Sequence, residues 1–265
     1  MGWIVVAVVL VSLLPYLWMV GTAFKPRVDS VSKTPTVFFS PTLEHFNAAF
    51  IDGPFLLAGI NSLIVSVASV LVTLVLAVPA AYILSRFDMV GGNHVFFFAL
   101  TTRMAPPIAV ALPMFILFSR YLGLYDTYFG LVVVTTLVCL AFAVWIMKTF
   151  FDGIPVALDE AALMCGCSRL QAFFRIVLPT ARAGIAATGI FCLLFAWGES
   201  LFASLLASHG GVQTLTIGIQ GLVTPAGTSW GQIAAVSTAL TVPLIVLVLF
   251  VVRNLVQGLN FGMAR

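Results

Sequence analysis

Long uncharged apolar runs alternate with short polar segments along this chain. Six runs are long enough to cross a hydrocarbon core at the 1.5 Å rise of an α-helix: residues 2–24, 53–85, 95–119, 127–147, 183–206 and 231–252. The third is interrupted by Arg103, Pro106, Pro107 and Pro113, and the fifth holds Glu199. Between them lie a proline-rich stretch at 25–53 with a short interfacial helix near 43–50, and a tight turn at 88–94 around Gly91-Gly92. A Gly/Thr/Gln/Ser-rich loop follows at 208–230, and a short tail at 253–265. The pattern predicts an all-α, polytopic membrane protein of six transmembrane helices. The first run is no signal peptide, because it lacks a basic start and a second run soon follows. The missing basic start is unusual for a first span and points to an amino end short of a few residues.

One stretch breaks the apolar pattern. Residues 151–182 carry Asp152, Asp159, Glu160, Arg169, Arg175 and Arg182, with Lys148 just ahead. Its signals predict two short helices. Pro155 suits the first turn of a helix, where its missing N–H is not needed. Residues 156–164 continue that helix, with Asp159 and Glu160 at the end that favours carboxylates. Gly166 stops it. Ser168 and Gln171 have capping-box spacing for a second helix. Leu170, Phe173, Phe174 and Val177 give it an apolar face, and Pro179 ends it. Ala161, Ala162 and Gly166 leave one side of the turn nearly bare, where another protein can approach the backbone.

Composition sharpens the class. Apolar residues make up 62% and charged residues 8%, against about a quarter charged in soluble domains; the mean hydropathy is +1.16. The net charge of +3 gives no basic patch suited to nucleic acid. Cys139, Cys165, Cys167 and Cys192 read as small apolar residues, with no disulfide implied. An even number of spans puts both ends and residues 151–182 on one face. That face carries Arg86, Lys148, Arg169, Arg175, Arg182, Arg253 and Arg265, against Lys25, Arg27, Lys33 and Arg120 opposite, with Arg103 unassigned. The excess of basic residues makes it the cytoplasmic face.

Glu160-Ala161-Ala162, Gly166 four residues on, then Ile176, Leu178 and Pro179 resemble the EAA loop of the membrane subunits of binding-protein-dependent ABC importers. Further features resemble the carbohydrate-transporting, maltose-type branch. These are Phe24-Lys25-Pro26, Asn61-Ser62, Ala80-Ala81-Tyr82, Gly123-Leu124, Asp126-Thr127, Phe195-Ala196-Trp197 and Gly258-Leu259 with Gly262. Three positions depart from that pattern. Cys165 stands where the family has Asp, Gly198 where it has Asn after the tryptophan, and the tail ends Gly262-Met263-Ala264-Arg265.

The resemblance implies a type I ABC importer permease fold, a single transmembrane domain over residues 1–265, and a place in the bacterial or archaeal cytoplasmic membrane. It implies that Asp159, Glu160, Ala161, Ala162, Gly166, Leu178 and Pro179 belong to a coupling helix that docks on a cytoplasmic ATPase. The implied partners are a second permease subunit, two ATPase subunits and an external solute-binding protein. No G-x-x-x-x-G-K-[ST] loop occurs here, so no cofactor is expected on this chain; ATP and Mg belong to the ATPases.

Candidate contacts for a solute are Glu199, Trp197, Arg103 and Asn61. Glu199 and Arg103 are charges within spans, which face a cavity or each other; Glu199 serves equally as a polar tie between spans, and Arg103 can snorkel to a membrane face. Trp197 can stack on a sugar ring or pack, and Asn61 can touch solute or cap the second helix. Pro106-Pro107 frees backbone carbonyls or kinks the third span. The expected function is translocation of a sugar or polyol by alternating access. An importer of a non-sugar solute is the alternative, and an ion-coupled secondary transporter is disfavoured because Glu199 is the one mid-span carboxylate. A membrane enzyme would need clustered His, Asp or Glu, which His45, His94 and His209 do not supply.

Overall fold

The computed structural model describes residues 2–32, 34–88, 90–101, 106–207, 211–225 and 227–260. It is helical nearly throughout. The helices are α1 (Gly2–Ala23), α2 (Phe55–Arg86), α3 (Gly92–Thr101), α4 (Pro107–Ile116), α5 (Tyr128–Asp152), α6 (Ala157–Met164) and α7 (Arg169–Ala172). They continue with α8 (Arg182–Gly198), α9 (Leu201–Leu206), α10 (Leu215–Gln220) and α11 (Trp230–Asn260). A two-residue hairpin, β1 (Val223–Thr224) with β2 (Gly227–Thr228), pairs antiparallel. Two compact units form: Met1–Ser62 with Val212–Val246, and Leu63–Gly211 with Leu247–Arg265.

Among the described residues three helices, α1, α2 and α5, are long and apolar enough to cross a membrane. A fourth is reached if Arg169–Thr180 and Arg182–Gly198, bent by 72°, count as one span. The expected third span is instead two helices. Pro106 is extended (φ −62, ψ 127) and α4 starts at Pro107, because a residue before proline is pushed out of helical geometry. Arg103 lies outside the described residues. The expected fifth span is also broken: Glu199 is extended (ψ 124) between α8 and α9.

In the first unit, α1 is exposed along most of its length, from Trp3 (88%) to Trp18 (50%). Such an apolar surface suits lipid or a partner helix, not water. The start of α2, α10 and the start of α11 share a core of Ala49, Phe55, Ala58, Leu215 and Val236.

In the second unit, Ser66, Ser69 and Thr73 lie on one face of α2, and all are buried. Ser69 Oγ donates to the Val132 carbonyl of α5 (3.3 Å) and Thr136 Oγ1 of α5 donates to the Ser69 carbonyl (3.4 Å). Small hydroxyl residues let membrane helices approach closely and bond across the seam. Gly184 serves the same end between α8 and α5: a Cβ there would sit 2.5 Å from Phe150 Cγ. Cys139 and Cys192 are buried in this seam with Ala77 and Ala143. Cys165 is exposed and Cys167 half-buried, so the reading as small apolar filling fits only the first pair.

Candidate functional site

The polar stretch between α5 and α8 folds as expected locally. Residue 155 precedes α6, and Asp159 and Glu160 occupy its first turn. Gly166 has φ +84, a left-handed geometry that glycine adopts without steric cost. The capping box is complete: Gln171 N–H donates to Ser168 Oγ (3.3 Å) and Ser168 N–H to Gln171 Oε1 (2.8 Å). Two boundaries differ. Pro155 does not open α6, which starts at Ala157 after Val156 as its N-cap. Pro179 does not end the helix, which continues to Thr180 before the bend at Ala181. A π-turn at Phe173–Val177 precedes Leu178–Thr180. It leaves Pro179 in the first turn of a new helical segment, where no N–H is required.

This elbow is fastened to the ends of three helices. Phe173, Val177 and Ala181 form a core with Val78 and Ala81 of α2 and Met147 and Phe151 of α5, and Leu178 packs against it. The Tyr82 ring sits 4.7 Å from Phe173 and 5.6 Å from Phe151. Beside this core is a polar clamp. Arg86 Nε donates to Asp159 Oδ2 (2.9 Å), with both side chains nearly buried. Arg86 Nη1 donates to the Phe151 carbonyl (3.0 Å) and Nη2 to the Ile154 carbonyl (2.8 Å). Tyr82 Oη donates to Asp159 Oδ1 (2.6 Å). Next to it, Ser85 Oγ and Lys148 Nζ donate to the two oxygens of Asp152 (2.6 and 2.7 Å). A planar guanidinium can bond in several directions at once, so one side chain ties α2, the end of α5 and α6 together.

The other face of the elbow is open. Glu160 and Ala161 are exposed, as are Leu163 (41%) and Met164 (88%). Among the described residues Glu160 has no ion-pair partner. A cavity of about 200 Å3 lies beside it, lined in part by Arg86, Phe87, Asp159, Glu160, Leu163 and Arg169; the Arg169 guanidinium lies 5.1 Å from the Phe87 ring centre.

Two expectations change. Ala162 is buried (2%), so Ala161 and Ala162 do not bare the same side: successive residues lie about 100° apart on a helix. Asp159 faces inward and is held by Arg86. Sequence reasoning missed Arg86, Tyr82 and Met164 here. Arg86 was visible as the charge closing an apolar run, but nothing in the sequence tied it to Asp159, 73 positions on.

Of the four solute candidates, Arg103 lies outside the described residues, Asn61 belongs to the first unit, and Trp197 and Glu199 belong to the second. Glu199 Oε1 accepts from Phe202 N–H (2.8 Å) and Oε2 from Ala203 N–H (2.9 Å). It thus satisfies amides freed by the break before α9, a role for which a carboxylate suits. Trp197 is buried near the end of α8. Asn61 is buried inside α2, past its first turn, where it cannot cap the helix, and donates to the Gln213 carbonyl (2.9 Å). Its neighbour Ser62 Oγ accepts from Leu215 N–H at the start of α10 (2.8 Å).

Residues 73–261 match the family described as binding-protein-dependent transport system inner membrane component. The chain is 35% identical to a probable ABC transporter permease protein, y4oR, of Sinorhizobium fredii, over 99% of this chain and 93% of that one. It is 30% identical to the diacetylchitobiose uptake system permease protein DasC of Streptomyces coelicolor, over 95% and 91%. Its fold is similar to a chain in the crystal structure of a bacterial ABC transporter involved in the import of the acidic polysaccharide alginate. The TM-score is 0.79 at 21% identity, covering 95% of this chain and 94% of that chain. The chain belongs to the binding-protein-dependent transport system inner membrane components and is a permease component of an ABC importer, with the type I permease fold. It is an inner-membrane transport subunit that works within a complex of other importer components.

Proposed function

We propose that this chain carries a sugar or sugar derivative across the cytoplasmic membrane and that its elbow is the socket for a separate ATPase. Two ATPase subunits, which hold ATP and Mg, are the motor. A second permease subunit completes the path, and an external solute-binding protein delivers the solute. The observation that carries the docking role is the contrast between the faces of α6. The inner face is locked to α2 and α5 through Asp159 and Arg86, while the outer face presents an exposed Glu160, a small Ala161 and an exposed Met164. An exposed methionine at a helix end is a soft contact that fits an irregular partner surface.

When the ATPases close on ATP, force applied to α6 reaches the ends of α2, α5 and α8 without slack, because the clamp and the core around Phe151 tie them together. The helices then shift and the solute path changes sides. Gly166 permits the tight turn, Leu178 seats the elbow in the core, and Pro179 lies in the short helical segment just before the bend into α8. The sugar assignment is supported by the diacetylchitobiose permease relative. Solute contact by Trp197, Glu199, Asn61 and Arg103 belongs to this proposal as well, with Asn61 and Glu199 also holding helix ends.

The test uses the assembled transporter in proteoliposomes with its binding protein. Glu160→Lys should keep the complex inserted while abolishing solute-stimulated ATP hydrolysis and uptake. Full coupling in that variant rules out the docking role. Screening sugars and polyols against the binding protein tests the solute class separately.

A further inference from the structure

Lys25 is 4% exposed, yet among the described residues its ammonium has no carboxylate and no hydrogen-bond acceptor. Its side chain folds back along α1, with Nζ 4.0 Å from the centre of the Trp18 ring and 5.6 Å from that of Phe39. Aromatic faces attract a cation but accept none of its three N–H bonds well. The ammonium therefore meets the cavities that Lys25 lines, and a ligand there can supply the acceptor it lacks. Close by, the hydroxyl oxygen of Thr36 is buried and also without a partner among the described residues.

Lys25, Trp18 and Thr36 line two cavities at once. One, of about 500 Å3, is bounded by Asp29, Ser30, Thr34 and the α11 residues Trp230 and Ile233. The other, of about 230 Å3, runs along α1 past Leu14, Leu17 and Gly21 to Phe39. Leu14 and Leu17 are 60% and 63% exposed. The site therefore has a polar compartment and an apolar groove that meet at a cation, just beyond the end of a membrane-crossing helix. Tryptophans at that level mark the membrane–water boundary.

We propose that this is a binding site for a glycerophospholipid: phosphodiester at Lys25 and Thr36, acyl chain along Leu14 and Leu17. Asp29 opposes a bare anion. A headgroup carrying its own donor, a hydroxyl or an ammonium, gives that carboxylate something to accept. The site thus selects phosphatidylglycerol or phosphatidylethanolamine over phosphatidylcholine, whose headgroup has no N–H or O–H. The inference rests on the chain crossing a membrane and is independent of the solute.

The assembled transporter is exchanged into nanodiscs of each lipid, and retained lipid is counted by native mass spectrometry. Wild type should retain the glycerol and ethanolamine lipids over the choline lipid. Lys25→Gln should lower retention about five-fold, the worth of one basic residue at a membrane surface, while Lys25→Arg keeps it. Asp29→Asn should remove the headgroup preference. Thr36→Val should weaken retention too, and it stands in if Lys25→Gln does not assemble. Equal retention by wild type and Lys25→Gln overturns the site, as does equal retention of the choline lipid by wild type. Millimolar inorganic phosphate that raises the melting temperature of wild type but not of Lys25→Gln, with no lipid retained, overturns the lipid source in favour of a free phosphate.

Discussion

Single side chains at two sites carry charge into places where it must be matched. At the elbow, Arg86 and Asp159 are both buried and are matched by each other, by Tyr82 and by two backbone carbonyls. Such a pair adds little net stability over an apolar one, but removing one member strands the other. Arg86→Gln should therefore destabilise the elbow by roughly 3–5 kcal/mol, read as faster proteolysis between Phe151 and Arg169 and a lower melting temperature. An unchanged protease pattern would mean that the apolar core alone holds the elbow. His45 poses the opposite case. Burial pushes its pKa below the ordinary histidine value of 6.5, and its Nε2 has no partner among the described residues. The folded state then holds the neutral ring while the unfolded chain binds a proton below about pH 6.5, so stability falls as pH drops through that range and is level above it. Thermal melts between pH 5 and 8 check this, and His45→Gln should flatten the slope.

At the scale of elements, the informative features are the breaks. Gly166 sits at φ +84 with open space around its missing Cβ, so a substitution there meets strain and no clash. Gly166→Val should cost about 1–2 kcal/mol, the price of a left-handed β-branched residue, and should swing α6 relative to α7. ATP hydrolysis should then lose its response to solute while basal hydrolysis persists. If stimulation stays at the wild-type level, the angle of this turn does not set the coupling. The break at Glu199 is built differently. There a carboxylate takes the place of helical hydrogen bonds, accepting from two amides of α9. Both breaks were half-legible. Glycine and the Ser168/Gln171 spacing announce the first, since caps are local chemistry. The second showed only as a charge inside an apolar run, because the sequence does not say which backbone amides are left unpaired.

At the scale of the whole molecule, the same contrast separates what binds from what carries. The elbow joins a rigid inner face to an open outer one, as a subunit driven by a partner requires. Glu160→Lys in the assembled transporter tests that directly. It leaves Arg86, Asp159 and the Phe151 core in place, so any loss of coupling falls on the outer face.

The sequence by itself determined the class of the protein, its apolar runs, the elbow between the fourth and fifth, and the caps and glycine that shape that elbow. All of these depend on composition or on residues within a few positions of one another. Only the tertiary structure decided that Ala162 and Asp159 face inward, that Arg86 and Tyr82 hold the elbow, that the run at 95–119 is two helices, and that Lys25 is buried between two cavities. Each of those depends on which distant residues a side chain meets, and hydropathy carries no record of that.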